Sequence, residues 1–114
     1  MTNNVLNISG TLRLVDGPSD FSGRVEVFHD GQFGTVCDST WGLYEADVVC
    51  RQLGWRMGYA VTDAYFGPGT GPIWLSDIQC QGMEEDLLEC SHADWNMNLC
   101  THENDAGVVC GNCD

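Results

Sequence analysis

The sequence predicts a small disulfide-rich α+β domain, and three observations support this fold class. Apolar residues alternate on both sides of Asp30-Gly31, which predicts the two strands of a hairpin. Apolar residues recur at spacings of three and four between residues 43 and 53, which predicts one amphipathic helix. The chain also contains 7 cysteines in 114 residues, a content typical of secreted domains that disulfides hold together.

A hairpin is predicted because a segment with strand periodicity lies on each side of the turn dipeptide Asp30-Gly31. Val25 and Val27 alternate with Glu26, so a half-buried strand is expected there. Asp30-Gly31 can adopt the positive φ angles that a two-residue turn requires. Residues 32–37 then return as a second strand, which places Cys37 at the end of a strand.

The predicted helix presents an apolar stripe to the core. Gly42 is an acceptable N-cap, Glu45 suits the positive end of the helix, and Gly54 is placed to end it in a left-handed conformation. A bond between Cys37 and Cys50 would distort both strand and helix, so both partners are expected in the second half of the chain. The stripe consists of Leu43, Ala46, Val49, Cys50 and Leu53.

The other elements are short and are separated by loops. The segment 84–90 predicts one or two helical turns, because its acidic residues lie at the positive N-terminal end of a helix. Glycine and proline predict an irregular segment at 67–72, and 91–101 reads as a loop that contains Trp95. Short apolar runs predict strands at 11–15, 60–66 and 107–110, with a further run at 73–75.

The charge of the chain limits its partners. There are 17 acidic residues and 4 basic ones, all arginine, which gives a net charge of -13. Nucleic acid is excluded as a partner, because phosphate binding needs a cationic surface. A basic protein, or an anionic ligand bridged by divalent cations, is favoured; the alternative is that the charge serves solubility alone.

Membrane insertion and a leader segment are not predicted. No run of 18 apolar residues is present, so no direct membrane insertion is expected. No apolar segment follows Met1, and we interpret the chain as one module taken from a longer protein.

A set of short motifs occurs in a fixed order along most of the chain. The motifs are Gly23-Arg-Val-Glu-Val, Gly34-Thr-Val-Cys-Asp, Trp41, Asp47-Val-Val-Cys-Arg-Gln-Leu-Gly54, Phe66-Gly-Pro-Gly, Gly71-Pro-Ile-Trp-Leu, Cys80, Glu84, Cys90 and Asp105-Ala-Gly-Val-Val-Cys110. Together they resemble the scavenger receptor cysteine-rich (SRCR) domain, in its six-cysteine, group A form. The resemblance runs from about Leu12 to Cys110 and places the domain at residues 11–111, between tails at 1–10 and 112–114. It implies a curved antiparallel β-sheet that cradles the helix, with a second short helix after Cys80.

The resemblance also implies which cysteines are bonded. Spacing alone leaves every pairing open, whereas the family pattern implies Cys37–Cys100, Cys50–Cys110 and Cys80–Cys90. Cys113 is then unpaired, and we expect it to bond to another chain or segment; a terminal free thiol and a redox role are the alternatives. Asn7-Ile8-Ser9 is a glycosylation sequon, which is meaningful in a secreted chain.

The sequence does not predict an enzyme. It contains no Gly-x-Ser-x-Gly, no His-Glu-x-x-His and no phosphate-binding loop. The disulfides that the resemblance implies would also leave one cysteine as a thiol, and a nucleophilic cysteine must be a free thiolate. Cys90, His92, Cys100 and His102 could imitate a zinc site, but an oxidised secreted module favours disulfides.

Calcium is the cofactor that the resemblance suggests. Relatives bind divalent cations through acidic residues beside the first disulfide and beside the Gly-Pro-Ile-Trp-Leu strand, and this chain retains part of that pattern. A first site is predicted from Asp38, Glu103 and Asn104, and a poorer second one from Asp77 and Asn98. The alternative for Asp38 is a turn in which its side chain accepts nearby backbone amides.

Three further residues are assigned structural or contact roles. Asp105 is predicted to form an ion pair with Arg51. Trp55 and Tyr59 follow the helix in a predicted loop, where they could contact a ligand or pack beneath the loop.

The function implied by the resemblance is recognition outside the cell. We expect a module of a secreted or cell-surface receptor, of the scavenger or innate-immune type, that binds protein, glycan or microbial-surface ligands. The alternatives are an accessory domain of a secreted enzyme and a spacer in an adhesive or egg-surface matrix protein.

Overall fold

The computed structural model describes residues 8–112, and this part of the chain forms six strands, one α-helix and two short 3-10 turns. No helix within the described part is long and apolar enough to cross a membrane. The strands are β1 (Leu12–Asp16), β2 (Ser22–His29), β3 (Gln32–Val36), β4 (Met57–Val61), β5 (Ile73–Leu75) and β6 (Gly107–Gly111). The helix α1 is Leu43–Gln52, and the 3-10 turns are Leu87–Glu89 and His102–Asn104.

The sheet has the order β4-β6-β2-β3-β5, and β1 pairs with β2 as well. All pairs are antiparallel except β3 and β5, which run parallel. The closing strand predicted at 107–110 is confirmed as β6, but it lies inside the sheet between β4 and β2. β6 therefore joins the edge strand β4 to β2 and the rest of the sheet.

The predicted hairpin is confirmed, but its first strand is buried on both faces. Asp30 and Gly31 have φ angles of 50° and 86°, which is the turn geometry expected from their sequence. Val25 and Val27 are fully buried, and Glu26 between them is only 6% exposed. The prediction of a half-buried strand was wrong because two arginines neutralise Glu26: Arg13 donates at 2.6 Å and Arg24 at 3.1 Å.

The helix is confirmed with the predicted ends, but a different set of side chains faces the core. Gly42 is the N-cap, and Gly54 has a φ of 98°. Leu43 is 55% exposed, whereas Glu45 and Val48 are buried, so the predicted stripe was wrong at its first position. Glu45 can face the core because its carboxylate accepts two backbone N–H groups, that of Gly42 at 2.9 Å and that of Cys80 at 2.8 Å.

The strand predicted at 60–66 begins earlier and ends sooner. β4 spans Met57–Val61, and the residues after it form turns in which Asp63 and Ala64 have φ angles of 58° and 53°. The N–H of Asp63 donates to Asp38 Oδ2, and the N–H of Ala64 donates to the carbonyl of Asp105. These contacts with distant residues bend the chain away from the sheet.

The predicted helical turns at 84–90 shrink to the 3-10 turn Leu87–Glu89. The side chain of Asp86 accepts the N–H of Leu88 at 2.8 Å and acts as the N-cap, so the turn cannot extend towards Glu84.

The three disulfides are those implied by the resemblance: Cys37–Cys100, Cys50–Cys110 and Cys80–Cys90. They tie the end of β3 to the loop 91–101, α1 to β6, and the two ends of the segment that carries the first 3-10 turn. Cys90 and Cys100 are therefore in different disulfides, which removes the zinc-like grouping with His92 and His102. Cys113 and Asn7 lie outside the described residues.

Candidate ligand-binding cleft

An open cleft of about 540 Å³ lies where the end of β3, the end of β5 and the loop 91–101 meet. The Cys37–Cys100 disulfide forms part of its wall and holds two of these segments together. We call it the acidic cleft; it is lined by Cys37, Asp38, Ser39, Ser76, Asp77, Asn98, Leu99, Cys100 and Asn104.

Asp38 enters the acidic cleft directly after the first disulfide cysteine. Its backbone N–H donates to the carbonyl of Asn104 at 2.8 Å, which brings these two predicted ligands side by side. Its Oδ2 accepts the N–H of Asp63 at 2.8 Å. The side chain does accept a backbone amide, as the alternative proposed, but from a residue 25 positions away and not from a local turn.

Asp77 joins the two predicted metal sites. Its Oδ1 accepts the hydroxyl of Ser39 at 3.0 Å, and its backbone N–H donates back to the same hydroxyl oxygen at 3.2 Å. Asp77 lies two residues after the end of β5 and has a φ of 54°, so a residue in the left-handed conformation makes this reciprocal pair. Because Ser39 follows Asp38, both carboxylates border one cleft.

The amide side chains in the acidic cleft are held by backbone contacts. Asn98 donates from Nδ2 to the carbonyl of Ile73 at 2.9 Å and accepts the N–H of Cys100 at 3.1 Å. Asn104 accepts the N–H of Thr101 at 3.5 Å. The structure thus brings four of the five predicted ligands to one cleft, while Glu103 is exposed and does not line it.

The chemistry of this cleft is that of oxygen donors. Two carboxylates and two amide oxygens are ligand types that hard cations such as Ca²⁺ prefer. Elsewhere in residues 8–112, three potential ligand atoms converge at Cys80, Glu84 and Cys90. That group does not suit a metal, because the two sulfurs are bonded to each other.

Three features near the acidic cleft were missed by the sequence analysis. Asp63 contacts Asp38 across 25 residues, and no local pattern signals that contact. Ser76 is one of the residues that line the cleft; it is 2% exposed, and its hydroxyl donates to the carbonyl of Met97 at 3.5 Å. Leu99 is fully exposed on the rim, so an apolar side chain accompanies the carboxylates there.

Asp105 is a structural carboxylate, but its partner is not Arg51. It is 1% exposed and accepts the N–H of Gly69 at 2.7 Å and Nδ1 of His102 at 2.9 Å. Arg51 instead donates to the carbonyl of Glu84 at 2.8 Å. Asp105 therefore anchors the glycine-rich loop at residues 67–72, and His102 is also bonded to that loop through the carbonyl of Gly71 at 2.9 Å.

Glu84 is an acidic residue whose pKa the structure lowers. The backbone N–H of Gln81 is the largest cause and, with that of Gly82, holds the pKa of the Glu84 carboxyl below its usual value. A depressed pKa stabilises the fold above the unfolded-state pKa, and this contribution is lost as the pH falls through the folded pKa.

We expect this effect to be visible in an NMR titration of the side-chain carboxyl. The midpoint for Glu84 should lie below that of a glutamate in a short model peptide, and a Gln81→Pro variant, which lacks the N–H donor, should raise it. A midpoint at or above the peptide value would contradict the assignment.

The two predicted contact aromatics have different environments. Trp55 packs edge-on against Phe21 at 5.6 Å between ring centroids and is partly buried beside the core. Tyr59 lies in β4, not in a loop, and its side chain is 65% exposed.

Comparisons with known proteins agree with this architecture. The chain is 51% identical over 104 residues to galectin-3-binding protein of Rattus norvegicus, and the match covers 90% of this chain and 18% of that protein. It is 50% identical over 103 residues to macrophage scavenger receptor types I and II of Bos taurus, covering 90% of this chain and 23% of that protein. The chain therefore corresponds to a minor part of each relative.

Two solved structures have the same fold. The third SRCR domain of murine neurotrypsin superposes with a TM-score of 0.84 at 46% identity, covering 91% of this chain and 98% of that one. The SRCR domain of mouse MARCO, in a dimeric form, gives a TM-score of 0.75 at 37% identity, covering 93% and 94%. The family model for the scavenger receptor cysteine-rich domain matches residues 15–111. The chain belongs to this family, and the domains of this family that occur in secreted or cell-surface receptors are extracellular.

Proposed function

We propose that this domain is a non-catalytic ligand-recognition module and that its ligand binds in the acidic cleft. The observation that carries the proposal is the convergence of Asp38, Asp77, Asn98 and Asn104 on one disulfide-braced cleft. These residues come from three segments that are far apart in the sequence. Backbone groups hold the side chains of Asp38, Asn98 and Asn104, and the hydroxyl of Ser39 holds that of Asp77. A site held in this way loses little conformational entropy when a ligand binds.

The same cleft is the proposed calcium site. Asp38 and Asp77 supply the charged oxygens, and the amide oxygens of Asn98 and Asn104 retain a second lone pair beyond their backbone contacts. When bound, calcium would supply positive charge that attracts anionic or carbonyl groups of a ligand. Because the cleft is open and has few carboxylates, we expect affinity in the range of extracellular modules, with a Kd of about 0.1–1 mM.

A protein is the ligand class that we favour. One relative is named for binding galectin-3 and another is named as a receptor, although each covers far more than this domain. The exposed Leu99 beside the carboxylates offers the mixed apolar and polar surface that a protein ligand can contact. Glycan and microbial-surface ligands are the other classes implied by the resemblance.

Calcium titration tests the cleft directly. We expect isothermal calorimetry to give saturable heat for the unaltered domain and none for an Asp38→Asn, Asp77→Asn double variant. Calcium at ten times the Kd should stabilise the unaltered domain by about 1.4 kcal/mol, which a thermal shift can detect. Both carboxylates are replaced by amides of the same shape, so the fold should be kept.

An Asp20→Asn variant is the matched control, because Asp20 is exposed and lies outside the acidic cleft. It should bind calcium as the unaltered domain does. Absence of heat and of thermal shift at millimolar calcium in the unaltered domain would remove the calcium proposal. Equal binding by the double variant and the control would place the ion elsewhere.

A further inference from the structure

A second concave surface lies on the sheet and shares no residue with the acidic cleft. It is a cavity of about 130 Å³ between the edge strand β4 and its neighbour β6. We call it the β4–β6 cavity; its lining is apolar side chains and glycine backbone from Met57, Gly58, Tyr59, Val109, Cys110 and Gly111.

The pairing register explains why a cavity forms here. Met57 pairs with Gly111, and Tyr59 pairs with Val109, so these residues are cross-strand neighbours on one face of the sheet. Gly111 has no side chain to fill the position opposite Met57. Among residues 8–112, a β-carbon placed at Gly111 would meet no atom within 4 Å, so none of these residues fills the gap.

Exposed aromatic surface continues from this cavity along β4. Tyr59 is 65% exposed, and the next outward side chain of the strand, Val61, packs beside Phe66 over Gly107. Phe66 in turn contacts Tyr65 edge-on at 5.0 Å, and Tyr65 is 71% exposed. We call Tyr59, Val61, Phe66 and Tyr65 the tyrosine ridge. Contiguous apolar surface of this kind marks an interaction site, and tyrosine is enriched among the residues that dominate binding energy.

The volume of the β4–β6 cavity indicates what kind of group can occupy it. Pockets for small molecules are roughly 300–1,000 Å³, whereas the β4–β6 cavity has about 130 Å³. One apolar side chain of a protein partner fits that volume. Addition of a partner strand to β4 is blocked at Gly58, because its outward N–H already donates to Asp47 Oδ1 at 3.0 Å.

The net charge of the chain indicates the charge that a protein partner should carry. With 17 acidic and 4 basic residues, the domain attracts a basic protein and repels an acidic one at long range. We infer that the β4–β6 cavity and the tyrosine ridge bind a basic protein partner, which inserts one apolar side chain into the cavity. This surface is independent of calcium and of the acidic cleft.

A peptide probe with both features tests the inference. We would titrate the ¹⁵N-labelled domain with acetyl-Arg-Arg-Gly-Phe-Gly-Arg-Arg-amide in the presence of EDTA and follow backbone amide shifts. The expected result is saturable shifts centred on Met57, Tyr59, Val109 and Gly111. Replacing the phenylalanine of the peptide by alanine should weaken binding roughly tenfold, as truncation of an interface anchor does. A peptide with glutamates in place of its arginines should not bind.

Two variants of the domain sharpen the test. Tyr59→Ala should weaken binding of the phenylalanine peptide by roughly tenfold. Gly111→Leu should abolish binding by filling the cavity, since open space surrounds that position. Tyr44→Ala is the control, because Tyr44 is 57% exposed but lies on α1 and outside this surface. Far-ultraviolet circular dichroism spectra of the variants would test whether each one is folded.

Several results would overturn the inference. These are an absence of saturable shifts, shifts centred on the acidic cleft, equal affinity of the alanine peptide, and equal loss in Tyr44→Ala and Tyr59→Ala. Sedimentation that shows self-association abolished by Gly111→Leu would identify a second copy of the domain as the occupant and would also overturn it. Loss of calcium binding in the acidic cleft would not affect any of these readouts.

Discussion

A Cys50→Ala, Cys110→Ala double variant is expected to lose about 4 kcal/mol of unfolding free energy, because the disulfide restricts the unfolded chain. The two residues are 60 positions apart, so the closed loop is long. Both are buried, at 0% and 4% exposure, and the bond joins α1 to β6 in the middle of the sheet. Domains of this size have a net stability of about 5–15 kcal/mol, so the variant should be close to unfolding at 37 °C.

The Cys80–Cys90 disulfide provides the matched comparison. It closes a loop with a separation of 10 residues, and its removal should cost about 3 kcal/mol on the same chain-entropy model. Urea denaturation with linear extrapolation measures both changes. A larger loss for the short loop than for the long one would show that chain entropy does not control the stability of this domain.

An Asp105→Ala variant is expected to lose about 3 kcal/mol, because it removes a buried carboxylate and leaves two partly buried donors without their acceptor. The carboxylate is 1% exposed and accepts the N–H of Gly69 and Nδ1 of His102. We therefore also expect faster hydrogen exchange at the Gly69 amide than in the unaltered domain.

Two controls separate the role of the carboxylate from a general loss of charge. Asp105→Asn keeps an acceptor oxygen for Gly69 and should lose less stability than Asp105→Ala. Asp20→Ala removes an exposed carboxylate and should change stability by about 0.5 kcal/mol or less. Equal losses in Asp105→Ala and Asp20→Ala, or unchanged exchange at Gly69, would contradict a structural role for Asp105.

The elements that the sequence predicts well are those built from contacts between near neighbours. The turn at Asp30-Gly31 and the ends of α1 at Gly42 and Gly54 follow from backbone preferences of single residues, and all are found in the structure. Elements whose limits depend on distant partners are predicted less well. β4 ends at Val61 because Asp63 and Ala64 are bound by residues far away in the sequence.

Burial is the second property that local patterns describe incompletely. An alternating or helical pattern assumes that polar side chains face water. Glu26 and Glu45 break that assumption, because arginine side chains or backbone N–H groups compensate each buried carboxylate. Such compensation arises only when separate segments come together, so the periodicity of one strand or helix cannot reveal it.

For the candidate site, the residues were predicted from a resemblance, but only part of their arrangement was. The motifs around Cys37 and Cys100 indicated that Asp38 and Asn104 would be neighbours, and the structure places them together. It also merges the two predicted sites, since Ser39 and Asp77 bind each other, and it leaves Glu103 outside the cleft.

By itself the sequence determined the hairpin, the helix and the acidic character of this domain, because these depend on single residues and their immediate neighbours. The resemblance of its motifs added the disulfide pattern. Tertiary structure alone decided which carboxylates are buried, how the acidic cleft is assembled, and that an unfilled space remains beside Gly111. The physical reason is that these features depend on contacts between segments tens of residues apart, whose relative positions the packed and cross-linked core defines.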